Sequence, residues 1–151
     1  MAQGVFYEDI EVGAVIRFGH AEVSREEAID FATKYDPQPF HLDDEAAARS
    51  HFGRLAISGW QTGSMSMGML ARYFEQVGYA GMGGAGIEQL RWLKPVYPGD
   101  TLTMEMQTLD KRRSKSRPDM GLLNQTFTVL NQHGEPVMTY SATGMVAVRE
   151  P

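Results

Sequence analysis

The feature that most limits the fold of this chain is one long segment that is apolar on every side. Residues 59–77, GWQTGSMSMGMLARYFEQV, show no polar face until the last turn of a helix. A helix of this kind is expected to be surrounded by other parts of the protein rather than to lie on the surface. Small residues permit close approach, and methionines fill irregular gaps. Residues 59–77 are therefore predicted to form the central helix.

Capping residues and prolines indicate where the elements before this helix begin and end. Ser24 is followed three positions later by Glu27, which is the spacing of a capping box at a helix start. Pro37 and Pro39 disfavour helical geometry in the residues that precede them, so the helix must end there. Asp43 or Asp44 can cap a second, short helix. The elements predicted are a strand at 15–23, a helix from about Arg25 to Tyr35, and a short helix over 44–52.

After the central helix, the pattern changes to short apolar alternations separated by turn residues. Residues 78–86 are predicted to form a loop, and hairpin turns are expected at 131–134 and 111–121. The predicted strands are 87–96, 101–110, 122–131 and 136–148. Helices first and then neighbouring strands indicate an α+β fold with an antiparallel sheet against one helix. The length of 151 residues suits a single domain, 1–151.

Composition excludes several functions. With no cysteine, the chain has no disulfide, thiolate metal site or cysteine nucleophile. Nineteen acidic and fourteen basic residues give a net charge of −5, which disfavours nucleic acid as a main partner. Acidic residues near the amino terminus are unlike a secretory signal, and no apolar run is long enough to cross a membrane. We expect a cytoplasmic protein without a membrane partner.

The stretch from Asp36 to His41, DPQPFH, is the strongest candidate for chemistry. Two prolines stiffen the backbone between a carboxylate and an imidazole, and a bent extended loop would let the two side chains converge on one water molecule. The alternative is structural, with Asp36 capping a turn and His41 packing against the next helix.

Gly59 stands at the predicted start of the central helix. Backbone N–H groups at a helix start have no partner within the helix, and the helix dipole favours an anionic oxygen there. Such a donor can stabilise the charge that develops on a carbonyl oxygen. The alternative is that Gly59 only permits close packing.

These residues carry a resemblance to the MaoC-like dehydratases, among which are the (R)-specific enoyl-CoA hydratases. The similar segments are YEDIEVG at 7–13, DPQPFH at 36–41, Gly59 and RWLKPVYPGD at 91–100. The resemblance implies a hot-dog fold, in which a sheet wraps around a long helix. It also implies a homodimer, or a larger assembly of dimers, with the active site between subunits.

The resemblance further implies reversible addition of water to an enoyl thioester. Asp36 and His41 would hold the water and exchange its proton, and the Gly59 N–H would bind the thioester oxygen. No metal or redox cofactor is expected, and coenzyme A enters as part of the substrate. An acyl carrier protein is the alternative carrier. Residues expected to contact the substrate are Gln38, Ser58, Trp60 and Ser64.

The chain departs from the family pattern at four positions. Gln38 replaces the usual asparagine, Phe40 an aliphatic residue, and Ser58 the histidine before the glycine. A serine that lies near the aspartate in the hydratases is replaced by Met67. Ser64 or Ser66 is the expected substitute for it.

A basic run lies in the predicted hairpin after the second of the late strands. Its bases are Lys111, Arg112, Arg113, Lys115 and Arg117. Binding of the coenzyme A phosphates is one interpretation, since arginine and lysine suit phosphate. A solvated hairpin tip is the other.

Two other functions stay open from the sequence alone. An acyl-CoA thioesterase would use the same carboxylate and helix start to direct water at the thioester carbonyl. A non-catalytic subunit that binds or assembles acyl thioesters is the second, because Met67 replaces the family serine. The glycine-rich 81–86 follows a helix rather than a strand, which is the wrong context for a dinucleotide fingerprint.

Overall fold

The computed structural model describes residues 3–151, and in them four helices and five strands. The α+β class predicted from the sequence is confirmed. A short 3-10 turn at Tyr7–Asp9 precedes these elements. The helices are α1 (Arg25–Tyr35), α2 (Pro39–Leu42), α3 (Asp44–Ala48) and α4 (Gly59–Val77). The strands are β1 (Val15–Glu22), β2 (Gly81–Trp92), β3 (Thr101–Arg113), β4 (Met120–Leu130) and β5 (Pro136–Ala147).

All five strands form one antiparallel sheet in the order β1-β3-β4-β5-β2. Three consecutive strands, β3, β4 and β5, are joined by two hairpin connections and fill the centre of the sheet. The strand that follows α4, β2, lies at the edge beside β5, and β1 lies at the opposite edge. Both outer edges of the sheet are therefore formed by strands that flank α4 in the sequence.

The long helix α4 packs on the sheet and forms the centre of the core. Met69 and Leu70 of α4 are buried, and Gly19 lets β1 pass close to Met69, whose sulfur would lie 2.8 Å from a Cβ at that position. Gly19 also has a positive φ of 86°, which glycine tolerates best. The sheet residues buried around this helix include Leu102, Met104, Phe127, Val129 and Met138.

One face of α4 is uncovered within the chain, so the prediction of a fully surrounded helix is wrong for a single copy. Trp60 is 59% exposed and Met67 is 53% exposed. The apolar pattern of the helix therefore has two causes, since one part faces the sheet and another part faces outward beside β2.

The glycine-rich segment predicted as a loop is the beginning of β2. Gly81 pairs with Val146 and Gly84 with Gly144, so backbone pairing with β5 decides the structure where side chains give no strand preference. The strand then ends at Trp92 rather than at Val96. Pro95 lacks an N–H for the ladder, which fits this early end.

Two further boundaries differ from the prediction. Strand β3 continues to Arg113, so the first part of the basic run is strand and the turn is confined to 114–119. Helix α3 ends at Ala48, because the Ser50 N–H and hydroxyl both donate to Ala47 O and the chain turns. Asp43 is the residue that caps it, with Oδ2 accepting from Ala46 N–H at 2.9 Å.

Candidate active site

Asp36 lies at the carboxyl end of α1, where the helix stops. Its N–H still donates to Ala32 O at 2.9 Å, but its φ of −154° and ψ of 66° are not helical. This is the effect expected of the proline at position 37. The backbone therefore turns at Asp36.

Helix α2 brings His41 back toward Asp36. The sequence predicted an extended loop here, and that is wrong, because Pro39 begins a single helical turn that contains His41. Proline suits the first position of a helix, since its missing N–H would have no helical partner there and its φ is already helical. The His41 N–H donates to Gln38 O at 2.9 Å. The bend at Asp36 and the single turn of α2 thus bring the Asp36 and His41 side chains together, as the sequence predicted for an extended loop.

The His41 imidazole is held on one side by a backbone carbonyl and faces Asp36 on the other. Its Nδ1 lies 2.7 Å from Ala56 O, and its Nε2 lies 3.4 Å from Asp36 Oδ2. A carbonyl oxygen can only accept, so Nδ1 carries a hydrogen, and in the uncharged form of the ring Nε2 has a free lone pair. Two acceptors then face each other. A water molecule that donates one hydrogen to each would satisfy both.

The Asp36 carboxylate accepts hydrogen bonds on both oxygens. Gln38 Nε2 donates to Oδ1 at 2.7 Å, and Ser58 Oγ donates to Oδ2 at 2.7 Å. Burial raises the pKa of the carboxyl, but the bonds from Ser58 and Gln38 and the attraction of His41 outweigh it and hold the pKa below the ordinary aspartate value. Asp36 is therefore ionised at neutral pH.

The first turn of α4 supplies backbone donors beside this pair. Ser58 is the N-cap, with Oγ accepting from the Trp60 N–H at 3.2 Å. Among the residues described, no hydrogen bond uses the Gly59 N–H. A Cβ at Gly59 would lie 2.5 Å from the indole of Trp92, whose Nε1–H donates to Gly59 O at 2.9 Å. Glycine is therefore required for this contact, as the packing alternative supposed, and it also leaves a free donor.

Asp36, His41 and Gly59 line one cavity of about 420 Å³. The structure thus brings together the three residues that the sequence singled out for catalysis. Gln38 and Trp60 line the same cavity. Residues on its wall that the sequence reasoning missed include His51, Phe52, Thr62, Trp92 and Lys94.

Trp92 is the most informative of the missed residues. It belongs to the segment 91–100, which carried part of the family resemblance, and it ends strand β2. That membership was the available signal, since the predicted strand 87–96 did not place Trp92 at a strand end. Its distance from Gly59 along the chain is why sequence reasoning did not join the two.

A second, larger cavity of about 790 Å³ lies between α4 and the β2 side of the sheet. Trp60 lines both cavities, and its ring meets the ring of Trp92 edge-on, with centroids 5.1 Å apart. Ser64 lines the larger cavity, and its hydroxyl donates to Trp60 O at 2.9 Å. The wall is mainly apolar or glycine, so it is suited to a hydrocarbon chain.

The serines proposed to replace the family serine do not contact Asp36. Ser66 is fully buried and shares a hydrogen bond with the Tyr140 hydroxyl at 2.7 Å, while Ser64 bonds within α4. Met67 lines the larger cavity. Asp36 is oriented instead by Ser58 and Gln38. Ser58 is itself fully buried and does not line the cavity.

Three bases of the basic run bond to residues that line neither cavity. Lys111 donates to Tyr7 O, Arg113 reaches Glu8, and Arg117 pairs with Asp119. None of the five bases, including Arg112 and Lys115, lines either cavity. The lysine that borders the Asp36 cavity is Lys94, which pairs with Glu135.

Two structural findings bear on other sites. Over residues 3–151, no three His, Asp or Glu side chains are grouped so as to hold a metal ion. In the same part of the chain, no helix has the length and apolarity that crossing a bilayer requires.

Comparison with known proteins identifies the family of the chain. The family described as MaoC like domain matches residues 9–129. The (R)-specific enoyl-CoA hydratase of Aeromonas caviae is 31% identical over 125 residues, which cover 80% of this chain and 86% of that protein. The crystal structure of a MaoC-like dehydratase from Rhodospirillum rubrum is 39% identical, with a TM-score of 0.88, and the match covers 98% of this chain and all of that one.

A more distant likeness shows the fold. A Mycobacterium tuberculosis protein described as having a double hot-dog fold superposes with a TM-score of 0.81 at 15% identity, covering 96% of this chain and 44% of that one. The sheet order, the helix packed on it and these matches identify a hot-dog fold. The chain belongs to the MaoC-like dehydratase family.

Proposed function

We propose that the protein is a hydratase or dehydratase that adds water to, or removes it from, the 2,3 double bond of an enoyl thioester of coenzyme A. The observation that carries this proposal is the shared cavity of Asp36, His41 and Gly59. It joins an acid–base pair to a free backbone donor. The resemblance of the chain to an (R)-specific enoyl-CoA hydratase supports the same chemistry.

In the hydration direction, one water molecule donates its hydrogens to Asp36 Oδ2 and His41 Nε2. Its oxygen bonds to the β-carbon, while the electrons of the double bond move toward the thioester oxygen. The Gly59 N–H donates a hydrogen bond to this oxygen and stabilises the negative charge that develops on it. The proton taken up by the Asp36–His41 pair returns to the α-carbon, so the product has gained one water molecule.

We assign the acyl tail to the larger cavity. Trp60 borders both cavities, so a thioester held at Gly59 has its acyl chain directed along α4 past this ring. The apolar wall favours a hydrocarbon tail, because removing apolar surface from water is favourable. The pantetheine arm and phosphates then leave on the side of His51 and Lys94. The basic run can contribute to phosphate binding only from outside these two cavities.

The experiment that tests the function follows two signals on one panel of enoyl thioesters, from short to long acyl chains. We expect loss of enoyl absorbance without release of free thiol, measured with a disulfide reagent. Release of thiol would mean a thioesterase. Tight binding without turnover across the panel would mean a non-catalytic binding subunit. The chain length with the highest kcat/KM reports the occupant of the larger cavity.

We propose further that two copies pair through the β2 side. Among residues 3–151, no strand pairs with the outer edge of β2. Exposed apolar residues gather beside this edge, namely Trp60, Met67, Ile87, Trp92 and Leu93. An exposed apolar patch next to a free strand edge is typical of an interface. A second copy would cover the exposed face of α4.

The oligomeric state can be tested with one pair of variants. Sedimentation is expected to give twice the mass of one chain for the wild-type protein, and Ile87→Asp is expected to shift it toward one. Leu109→Asp is the matched control, because Leu109 is also an exposed apolar strand residue but belongs to β3. Equal behaviour of the two variants would contradict pairing at β2.

A further inference from the structure

Ser58 occupies a position that links the acid–base pair to the start of α4. Its hydroxyl donates to Asp36 Oδ2 at 2.7 Å and accepts from the Trp60 N–H at 3.2 Å. The residue is fully buried, so no water competes for the hydroxyl. A single oxygen therefore connects a catalytic carboxylate to the helix turn that carries Gly59.

The acceptor that Ser58 holds is the oxygen that His41 faces. Asp36 Oδ2 lies 3.4 Å from His41 Nε2, whereas Oδ1 is held by Gln38. Loss of the Gln38 bond would leave Oδ2 in place. Loss of the Ser58 bond would free the oxygen that points to the proposed water and remove a donor that favours the ionised carboxylate.

We infer that Ser58 is a positioning residue, which acts through Asp36 by fixing Oδ2 toward His41 and keeping the carboxylate charged. This inference rests on the proposed hydratase function. It differs from the substrate contact expected for Ser58 from the sequence, because the hydroxyl is already used within the protein. The hydroxyl hydrogen goes to Asp36 and one lone pair accepts from the Trp60 N–H, while burial of the whole side chain keeps the second lone pair away from the cavity.

The pKa of Asp36 can report the loss of the Ser58 hydrogen bond, because the other groups near Asp36 stay the same in a Ser58 variant. His41 approaches from α2, and His51 and Lys94 lie on the same cavity wall. Asp36 is the one carboxylate among the residues lining this cavity. In the Ser58→Ala variant these neighbouring groups are the same, and the donated hydrogen bond is lost. The pKa of Asp36 is therefore expected to rise.

The test measures the pKa of Asp36 in the whole protein by carbon-detected NMR of side-chain carboxyls, with Asp36→Asn to assign the signal. Ser58→Ala should raise this pKa and lower kcat about 10- to 100-fold, the scale of a hydrogen bond to a charged group, with a smaller change in KM. Ser58→Thr, which keeps a hydroxyl, should restore both. Ser58→Gly removes the hydroxyl at little cost to the cap and should behave as Ser58→Ala does.

Ser24→Ala is the matched control for the loss of a helix cap. Ser24 caps α1 by accepting from the Glu27 N–H at 3.1 Å, and the side-chain hydrogen bonds of Asp36 come from Gln38 and Ser58 instead. If Ser58→Ala and Ser58→Gly leave the Asp36 titration at its wild-type position, or reduce kcat no more than Ser24→Ala does, the inference is wrong. If the wild-type protein hydrates no thioester, the proposed function fails, while the titration still tests Ser58.

Discussion

Asp36→Asn is expected to lower kcat/KM for hydration of an enoyl thioester by roughly two to four powers of ten, the usual contribution of a positioned acid or base. Asparagine has nearly the same shape, but its amide cannot take a proton from water. It also cannot stabilise a charged imidazole at 3.4 Å as the carboxylate does. The measurement is the initial rate of enoyl absorbance loss, with the substrate range chosen to separate kcat from KM.

Asp43→Asn provides the control for this variant. Asp43 is close in sequence and caps α3, and asparagine is an equally good cap, so both folding and activity should be retained. Wild-type turnover by Asp36→Asn would remove the proposed mechanism. His41→Ala should reduce the rate on the same scale, but its buried ring also packs against Phe40 and Phe52, so the asparagine variant is the cleaner measurement.

Gly59→Ala is expected to damage both stability and catalysis. The new methyl group would lie 2.5 Å from the Trp92 indole, so Trp92 or the first turn of α4 must move. Insertion of a methyl into a closely packed site typically costs about 1–3 kcal/mol of unfolding free energy. Displacing one oxyanion donor costs about 2.7–4 kcal/mol in the barrier, or 10²- to 10³-fold in kcat. Thermal unfolding and kcat measure the two effects separately.

Gly63→Ala is the control for Gly59→Ala. Gly63 lies one turn later on α4, and a Cβ there meets nothing within 4 Å. Alanine is favoured over glycine in a helix interior by about 0.8–1.0 kcal/mol, so this variant should be as stable as the wild type or more stable. With a short-chain substrate, which does not fill the larger cavity, its kcat should be retained. Equal behaviour of Gly59→Ala and Gly63→Ala would contradict the role given to Gly59.

Local signals in the sequence were sufficient for α1 and α4, but not for α2, which carries His41. Ser24 is observed as the N-cap of α1, and α4 spans the predicted 59–77. The bounds of α1 depend on a cap and a proline, whose effects act within a few residues, and α4 was visible from its continuous apolar pattern. The start of β2 could not be predicted in this way, because Gly81–Gly86 are in a strand only through pairing with β5.

The same distinction explains which parts of the site could be predicted. Asp36 and His41 are five residues apart, so their type and spacing were visible in the sequence. The groups that orient them were not, because Ser58 reaches Asp36 across 22 positions and Ala56 reaches His41 across 15. The family pattern offered serines on the helix as the orienting groups. The fold uses the helix cap instead.

The proposed reacting groups and their orienting partners all lie between residues 36 and 59, whereas the larger cavity is walled chiefly by β2, β5 and the middle of α4. Under the proposed function, the residues for chemistry and most of those for substrate choice thus belong to separate stretches of the sequence. Descendants of this protein could then accept a new acyl group through changes in β5 and in the glycine-rich start of β2. A library confined to these residues leaves Trp92 in place against Gly59 and would explore specificity with little risk to turnover.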